Sequence, residues 1–69
     1  MAEQLGEVLW FSKERGFGLI RTGDGADFYV IFEDIAEEPR ELEPGELVSF
    51  EPGARGTARI ARAVRRAKS

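Results

Sequence analysis

The stretch Phe17-Gly18-Leu19-Ile20-Arg21-Thr22-Gly23-Asp24-Gly25-Ala26-Asp27-Phe28-Tyr29-Val30-Ile31-Phe32 decides the fold. Two short apolar runs, Phe17 to Arg21 and Phe28 to Phe32, carry the aromatic and β-branched residues that fit a pleated surface. Between them stand two glycines and two aspartates, Gly23, Asp24, Gly25 and Asp27. These are the residue types that accept the positive φ of a hairpin loop. Strand side chains alternate between faces. Phe17 and Leu19 therefore share one face of the first run, and Gly18 and Ile20 the other. In the second run Phe28, Val30 and Phe32 share a face opposite Tyr29 and Ile31.

Working outward, Leu5 to Phe11 holds Val8, Trp10 and Phe11 and reads as an earlier strand, closed by the polar turn Ser12-Lys13-Glu14-Arg15-Gly16. Glu33 to Pro44 reads as a long acidic loop with one helical turn near Asp34. Its anchor is Ile35, with Leu42 a second candidate. Pro44-Gly45 marks a tight turn, Glu46 to Glu51 a fourth strand, and Pro52-Gly53-Ala54-Arg55-Gly56 a further turn. The segment Thr57 to Lys68 admits two readings. Ile60, Ala63, Val64 and Ala67 fall at helical spacing, whereas its position favours a closing strand through Ile60 to Val64, and the strand is preferred. Short strands, glycine-rich turns and no long helix predict an all-β domain. In 69 residues a closed five-stranded barrel is favoured over a two-sheet sandwich. The expectation is one domain over 1–69, with residues 65–69 frayed.

Composition narrows the function. A chain this short buries only about 60% of its unfolded surface. It has no Cys and no His, so disulfides, transition-metal sites and Cys- or His-based catalysis are not expected, and no cofactor is. No apolar run reaches the roughly 20 residues of a membrane span. Met1-Ala2-Glu3-Gln4 has neither the basic cluster nor the apolar stretch of a secretory signal. A cytoplasmic protein without a membrane partner is expected. The carboxylates are numerous, but none is paired in an apolar pocket that would tune it for catalysis. Gly23-Asp24-Gly25 is not followed by the Lys-Ser/Thr of a phosphate cradle. Neither an enzyme nor a small-molecule substrate is expected.

The net charge of −3 argues against a nucleic-acid partner, because phosphate contacts call for a basic footprint. The average conceals a dipole. Glu33 to Glu51 contains eight acids and one base, Arg40, while Pro52 to Ser69 contains six bases and no acid. The aromatics pull toward nucleic acid. Six of seven lie between Trp10 and Phe32. A barrel this small admits one face of each strand, so several large rings must point outward. Each ring taken alone is more simply a core residue, but a cluster facing water is a stacking surface for bases, worth about 1–3 kcal/mol per base. Lys13 and Arg15 sit in the turn beside it, placed to meet phosphates. Gly16 and Gly18 flank Phe17 and clear space for a planar base.

Three blocks carry a family resemblance: Gly6-Glu7-Val8-Leu9-Trp10-Phe11-Ser12, Arg15-Gly16-Phe17-Gly18-Leu19-Ile20 and Asp27-Phe28-Tyr29-Val30-Ile31-Phe32. They resemble the cold-shock domain, the second and third blocks being similar to its two RNA-binding motifs. The likeness spans nearly the whole chain and is specific up to about Phe50. It implies a five-stranded antiparallel OB-type barrel that binds single-stranded RNA or DNA without catalysis; a monomer is expected. It implies stacking by Trp10, Phe17, Tyr29 and Phe32, with Phe11 at the edge and positions 19 and 31 within the face. Lys13, Arg15 and Arg55 are the implied phosphate contacts. Val8, Ile20, Phe28, Val30 and Ile35 are the implied inward set, which obliges Phe32 to escape the phase of its strand by a twist or bulge.

The sequence departs from the family pattern at several points. Ile31 stands where the family has His, Leu19 where it has Phe, and Leu9 where it has Lys, and Glu37-Glu38-Pro39-Arg40 lacks the family's loop aromatic. Two stacking platforms are thus aliphatic. Acids beside the face repel phosphate, so weak and strongly salt-dependent binding is expected. The Arg-rich tail has three readings: phosphate contacts, a solvated terminus, or a partner for the acidic loop. The greasier face also admits a protein-interaction or self-associating module as the rival function.

Overall fold

The computed structural model describes residues 3–67. Five strands, β1 (Gln4–Ser12), β2 (Phe17–Thr22), β3 (Asp27–Ile31), β4 (Leu47–Arg55) and β5 (Ala58–Arg66), form a closed barrel in the order β1-β2-β3-β5-β4, with one 3₁₀ turn at Phe32–Asp34. Four seams are antiparallel, and the seam between β3 and β5 is parallel. A ring of five strands cannot alternate direction all the way round, so one parallel seam is unavoidable.

Alternation within strands places Val8, Ile20, Phe28, Val30, Val48 and Phe50 inside, with Ala61 and Val64 from β5, and Ile35 and Leu42 join them from the acidic loop. The Phe28 and Phe50 rings meet at 4.9 Å in the middle of this core. The whole inward set expected from the sequence is buried. Thr22 to Asp27 turns as a hairpin. Thr22 and Ala26 close it through a backbone hydrogen bond of 2.9 Å, and the Asp24 carboxylate accepts from the Thr22 hydroxyl and the Ala26 N–H. Arg21 grips Asp27 with two hydrogen bonds, Nε to Oδ1 at 2.7 Å and a second guanidinium nitrogen to Oδ2 at 3.2 Å. That grip, with a smaller effect of the Arg21 charge, holds the Asp27 carboxyl below its usual 3.8 despite opposing desolvation. The Thr22 hydroxyl first, then the Ala26 N–H, does the same for Asp24.

The second half of the chain differs from the expected boundaries. β4 does not turn at Pro52; it runs on to Arg55, pairing Pro52 with Ala61 and Gly53 with Ile60, and the turn falls at Gly56-Thr57. Beyond Phe50 this strand pairs with β5 alone among the described residues, since β1 pairs no further than Gln4 with Phe50. A strand with one neighbour tolerates a proline without an N–H. The closing segment is a strand, as preferred, and longer than Ile60 to Val64. It continues to Arg66, two residues into the stretch expected to fray, and the Ala67 N–H donates to the Leu47 carbonyl at 2.9 Å; residues 68–69 lie outside the described residues. The helical spacing has a physical origin. The ladder slips between Ser49 and Glu51, where β5 carries one extra residue, and Ala63 adopts φ of 52°. That bulge puts Ala61 and Val64, three apart, on the same inward side.

The acidic loop is fastened to the barrel. Ile35 bridges Val64 in parallel, the Ala36 N–H donates to the Val64 carbonyl at 2.8 Å, and Leu42 is buried. Arg66 supplies the rest. Its Nε donates to Glu46 at 2.9 Å, its terminal nitrogen to the carbonyls of Pro39 and Glu41, and its backbone N–H to Glu37 at 3.0 Å. Of the three readings of the tail, Arg66 realises the pairing with the acidic loop.

Three outcomes follow from this packing. Arg66→Met should lower the unfolding free energy in urea by about 1–3 kcal/mol, because it strips partly buried acceptors of a charged donor. Gly18→Ala should destabilise by a comparable amount, about 1–3 kcal/mol, since a Cβ there would run into the Trp10 carbonyl and the Phe11 ring. Asp24 and Asp27 have depressed folded values, so the stability they contribute is present above 3.8 and lost as pH falls through those values. Carboxyl NMR titration should give both midpoints below 3.8, with Asp27 alone returning upward in Arg21→Gln.

Candidate nucleic-acid interface

The outer surface of β1, β2, β3 and β5 is organised in rows set by the ladder. Trp10 pairs with Leu19, Leu19 with Tyr29, Tyr29 with Ile60, and Ile60 with Gly53. Beside that row lies a second, Ser12 with Phe17 and Phe17 with Ile31. Cross-strand partners stand on the same face, so Trp10, Leu19, Tyr29, Phe17 and Ile31 share one side of the barrel. Trp10 and Phe17 meet edge to face, ring centroids 5.3 Å apart and planes at 80°. Trp10 is 41% exposed, Tyr29 51% and Phe32 45%, whereas Phe17, Leu19 and Ile31 are half-buried among their neighbours.

Two interruptions of the alternation put the rings there. Val8 points inward, so an unbroken β1 would take Trp10 inward too. The ladder instead slips between Val8 and Trp10, with Leu9 as the additional residue. After the slip Trp10 faces out, and Phe11 packs against the core. Phe11 therefore lies half-buried beneath the face rather than on it. Phe32 would point inward with Phe28 and Val30 if β3 continued. It is instead the first residue of the 3₁₀ turn, and its N–H donates to the Gly16 carbonyl at 2.8 Å. Its ring covers Gly16, where a Cβ would come within 2.9 Å of Phe32 Cδ1 and where φ is 77°. Both features make glycine the fitting residue at that position. The twist or bulge required at the end of the third strand takes this form.

The basic residues are not equivalent. Lys13 lies in the turn beside Phe32, but its ammonium is engaged by Glu43 at 3.0 Å and Glu41 at 3.7 Å. The Glu43 hydrogen bond, then the charges of Glu43 and Glu41, raise its pKa above 10.5. Arg15, in the same turn, is exposed and makes no ion pair among the described residues. Arg55 is exposed at the end of β4, two positions beyond Gly53 and so on the same side of that strand. Among the described residues no cluster of His, Cys, Asp or Glu is placed to hold a metal ion. Nor is any helix among the described residues long and apolar enough to cross a membrane. Ile60 and Gly53 complete the first row and were not anticipated. The bulge in β5 obscures its alternation, and a glycine in a strand gives no sign of its face.

The arrangement is a sheet face carrying exposed rings, with cations at its margins. Comparison with known proteins agrees with it. The family model described as the 'Cold-shock' DNA-binding domain matches residues 4–67. The cold shock-like protein CspC of Bacillus cereus is 44% identical over 54 residues, covering 74% of this chain and 83% of that protein. The cold shock protein CspB of Geobacillus stearothermophilus is 45% identical over 49 residues, covering 70% and 74%. The cold shock protein CspC of Bacillus subtilis is 44% identical over 54 residues, covering 74% and 82%. With its barrel, its ladder of outward rings and a family match over all but the ends of the chain, this protein belongs to the cold-shock domain family of nucleic-acid-binding proteins.

Proposed function

We propose that this protein binds single-stranded RNA or DNA with little sequence preference, taking unpaired bases one after another on Trp10, Phe17, Tyr29 and Phe32, in the manner of an RNA chaperone. The observation that supports the reading best is the exposure of three large rings, Trp10, Tyr29 and Phe32, around one sheet face. Every base has a π-face, so a row of rings accepts any sequence. Binding holds bases apart and screens backbone charge; it makes and breaks no covalent bond. Leu19 and Ile31 contribute apolar contact without ring stacking, and the acidic loop repels phosphate from the Phe32 side. The expected affinity is modest and falls steeply with salt.

A second reading, self-association, draws on Leu5 and Leu47, which are 67% and 58% exposed and line a shallow groove with Leu9 and Arg21. Sedimentation at rising concentration separates the two: a monomer that binds oligothymidylate supports the first, and a dimer that binds none supports the second.

Phe17→Ala and Phe32→Ala should each weaken oligothymidylate binding by about 1–3 kcal/mol, roughly fivefold to 150-fold in Kd, while circular dichroism shows an intact fold. Leu19→Phe should tighten it, because it restores a ring between Trp10 and Tyr29. A folded Phe17→Ala protein with unaltered affinity would remove the basis of the stacking reading.

A further inference from the structure

The outer face extends past the parallel seam. Tyr29 and Ile60 are partners across it. Two residues further along each of these parallel strands stand Ile31 and Arg62. By alternation Arg62 stands on the same outward side of β5 as Ile60. The side chain lies on the outer surface: a Cβ at Gly53 would sit 2.9 Å from Arg62 Cδ and 3.4 Å from Ile60 Cγ1. The Arg62 stem thus runs over Gly53 and beside Ile60, on the side opposite the fully buried Ala61. The absence of a side chain at Gly53 is what leaves room for it.

The cations around the face differ in what already occupies them. Lys13 is held by Glu41 and Glu43, and Arg66 by the acidic loop. Arg59 acts on Asp24 and Asp27, whose carboxyls its charge helps to stabilise. Arg62 is exposed and makes no ion pair among the described residues, not even with Glu51, its ladder partner on β4. Arg55 is equally unengaged and lies on the same side of the β4–β5 hairpin. A guanidinium offers a planar fork of donors matched to phosphate oxygens. Its aliphatic stem, packed on Ile60 and Gly53, fixes where that fork emerges.

We infer that Arg62 binds a backbone phosphodiester of the single strand, and that with Arg55 it adds a second phosphate-neutralising edge on the β4–β5 side of the face, opposite the turn in which Arg15 is free among the described residues and Lys13 is engaged. This rests on the stacking reading above. A strand whose bases lie on Phe17 and Tyr29 has its backbone drawn toward the basic closing strand and away from Glu41 and Glu43. The acidic loop and the arginine strand together give the bound strand one preferred side.

The test is the salt dependence of oligothymidylate binding, followed by anisotropy of a labelled short oligomer, for the wild-type chain, Arg62→Gln, Arg62→Lys, Lys13→Gln and Phe17→Ala. Each phosphate neutralised contributes about 0.7 to the slope of log K against log salt for a single strand. Arg62→Gln should lose about that much slope, with weaker binding at low salt. Arg62→Lys should retain the slope, and Lys13→Gln should leave it unchanged. Glu41→Gln combined with Glu43→Gln should free Lys13 and steepen it. An unaltered slope in Arg62→Gln, or a slope lost in Lys13→Gln, overturns the inference while leaving stacking intact. A wild-type chain that binds no oligomer overturns both, and loss of binding in Phe17→Ala shows that the face itself is in use.

Discussion

The interior of a barrel of five short strands is wide enough for one face of each strand, and every feature of this molecule follows from how that limit is met. A strict two-residue alternation would send Trp10 and Phe32 into the core and leave Phe11 outside. Slips of the ladder at Leu9 and Ala63, and the 3₁₀ turn at Phe32, change the phase at three places. The first and third of these send rings to the surface. The second keeps Ala61 and Val64 inside while Arg62 and Arg65 stay out. Irregularities in the ladder are thus the elements that separate core from binding face.

Charge is laid out by the same geometry. The acidic loop leaves the barrel after the 3₁₀ turn and returns at β4. It is held by Ile35 and Leu42 in the core and by Arg66 at its edge. A loop so fastened keeps its carboxylates where they neutralise Lys13, on one flank of the aromatic face. The closing strand carries its arginines to the other flank. A net charge of −3 is therefore compatible with a nucleic-acid interface, because phosphate responds to the local field within about a Debye length rather than to the sum over the chain.

The aliphatic residue Leu19 falls inside the first row, and Ile31 stands at the end of the second. Rings at Trp10 and Tyr29 still bracket Leu19, and Phe17 still borders Ile31. The first row is thus interrupted, and the second ends on an aliphatic side chain. That arrangement keeps several separate stacking points while lowering the contribution of the ground between them. It also raises the relative weight of the electrostatic contacts at the margins.

Much of this was legible in the residues themselves. Glycine-rich turns between short β-rich runs specify a small β-barrel, and the blocks around Trp10, Phe17 and Phe28 specify its family. The inward set Val8, Ile20, Phe28, Val30 and Ile35 is what the family resemblance implies, and alternation supports it within a strand, as for Phe28 and Val30. Tertiary structure alone decided the phase changes at Leu9 and Ala63 and the form taken by the one at Phe32, since a bulge depends on how two strands align and not on the residue that occupies it. It also decided which cations are free. Lys13 and Arg62 look alike in the sequence, yet one is covered by a loop nearly thirty residues away and the other lies open over Gly53, across a hairpin whose turn lies later than composition indicated. Local preference settles which segments are strands. Long-range register settles what each side chain meets.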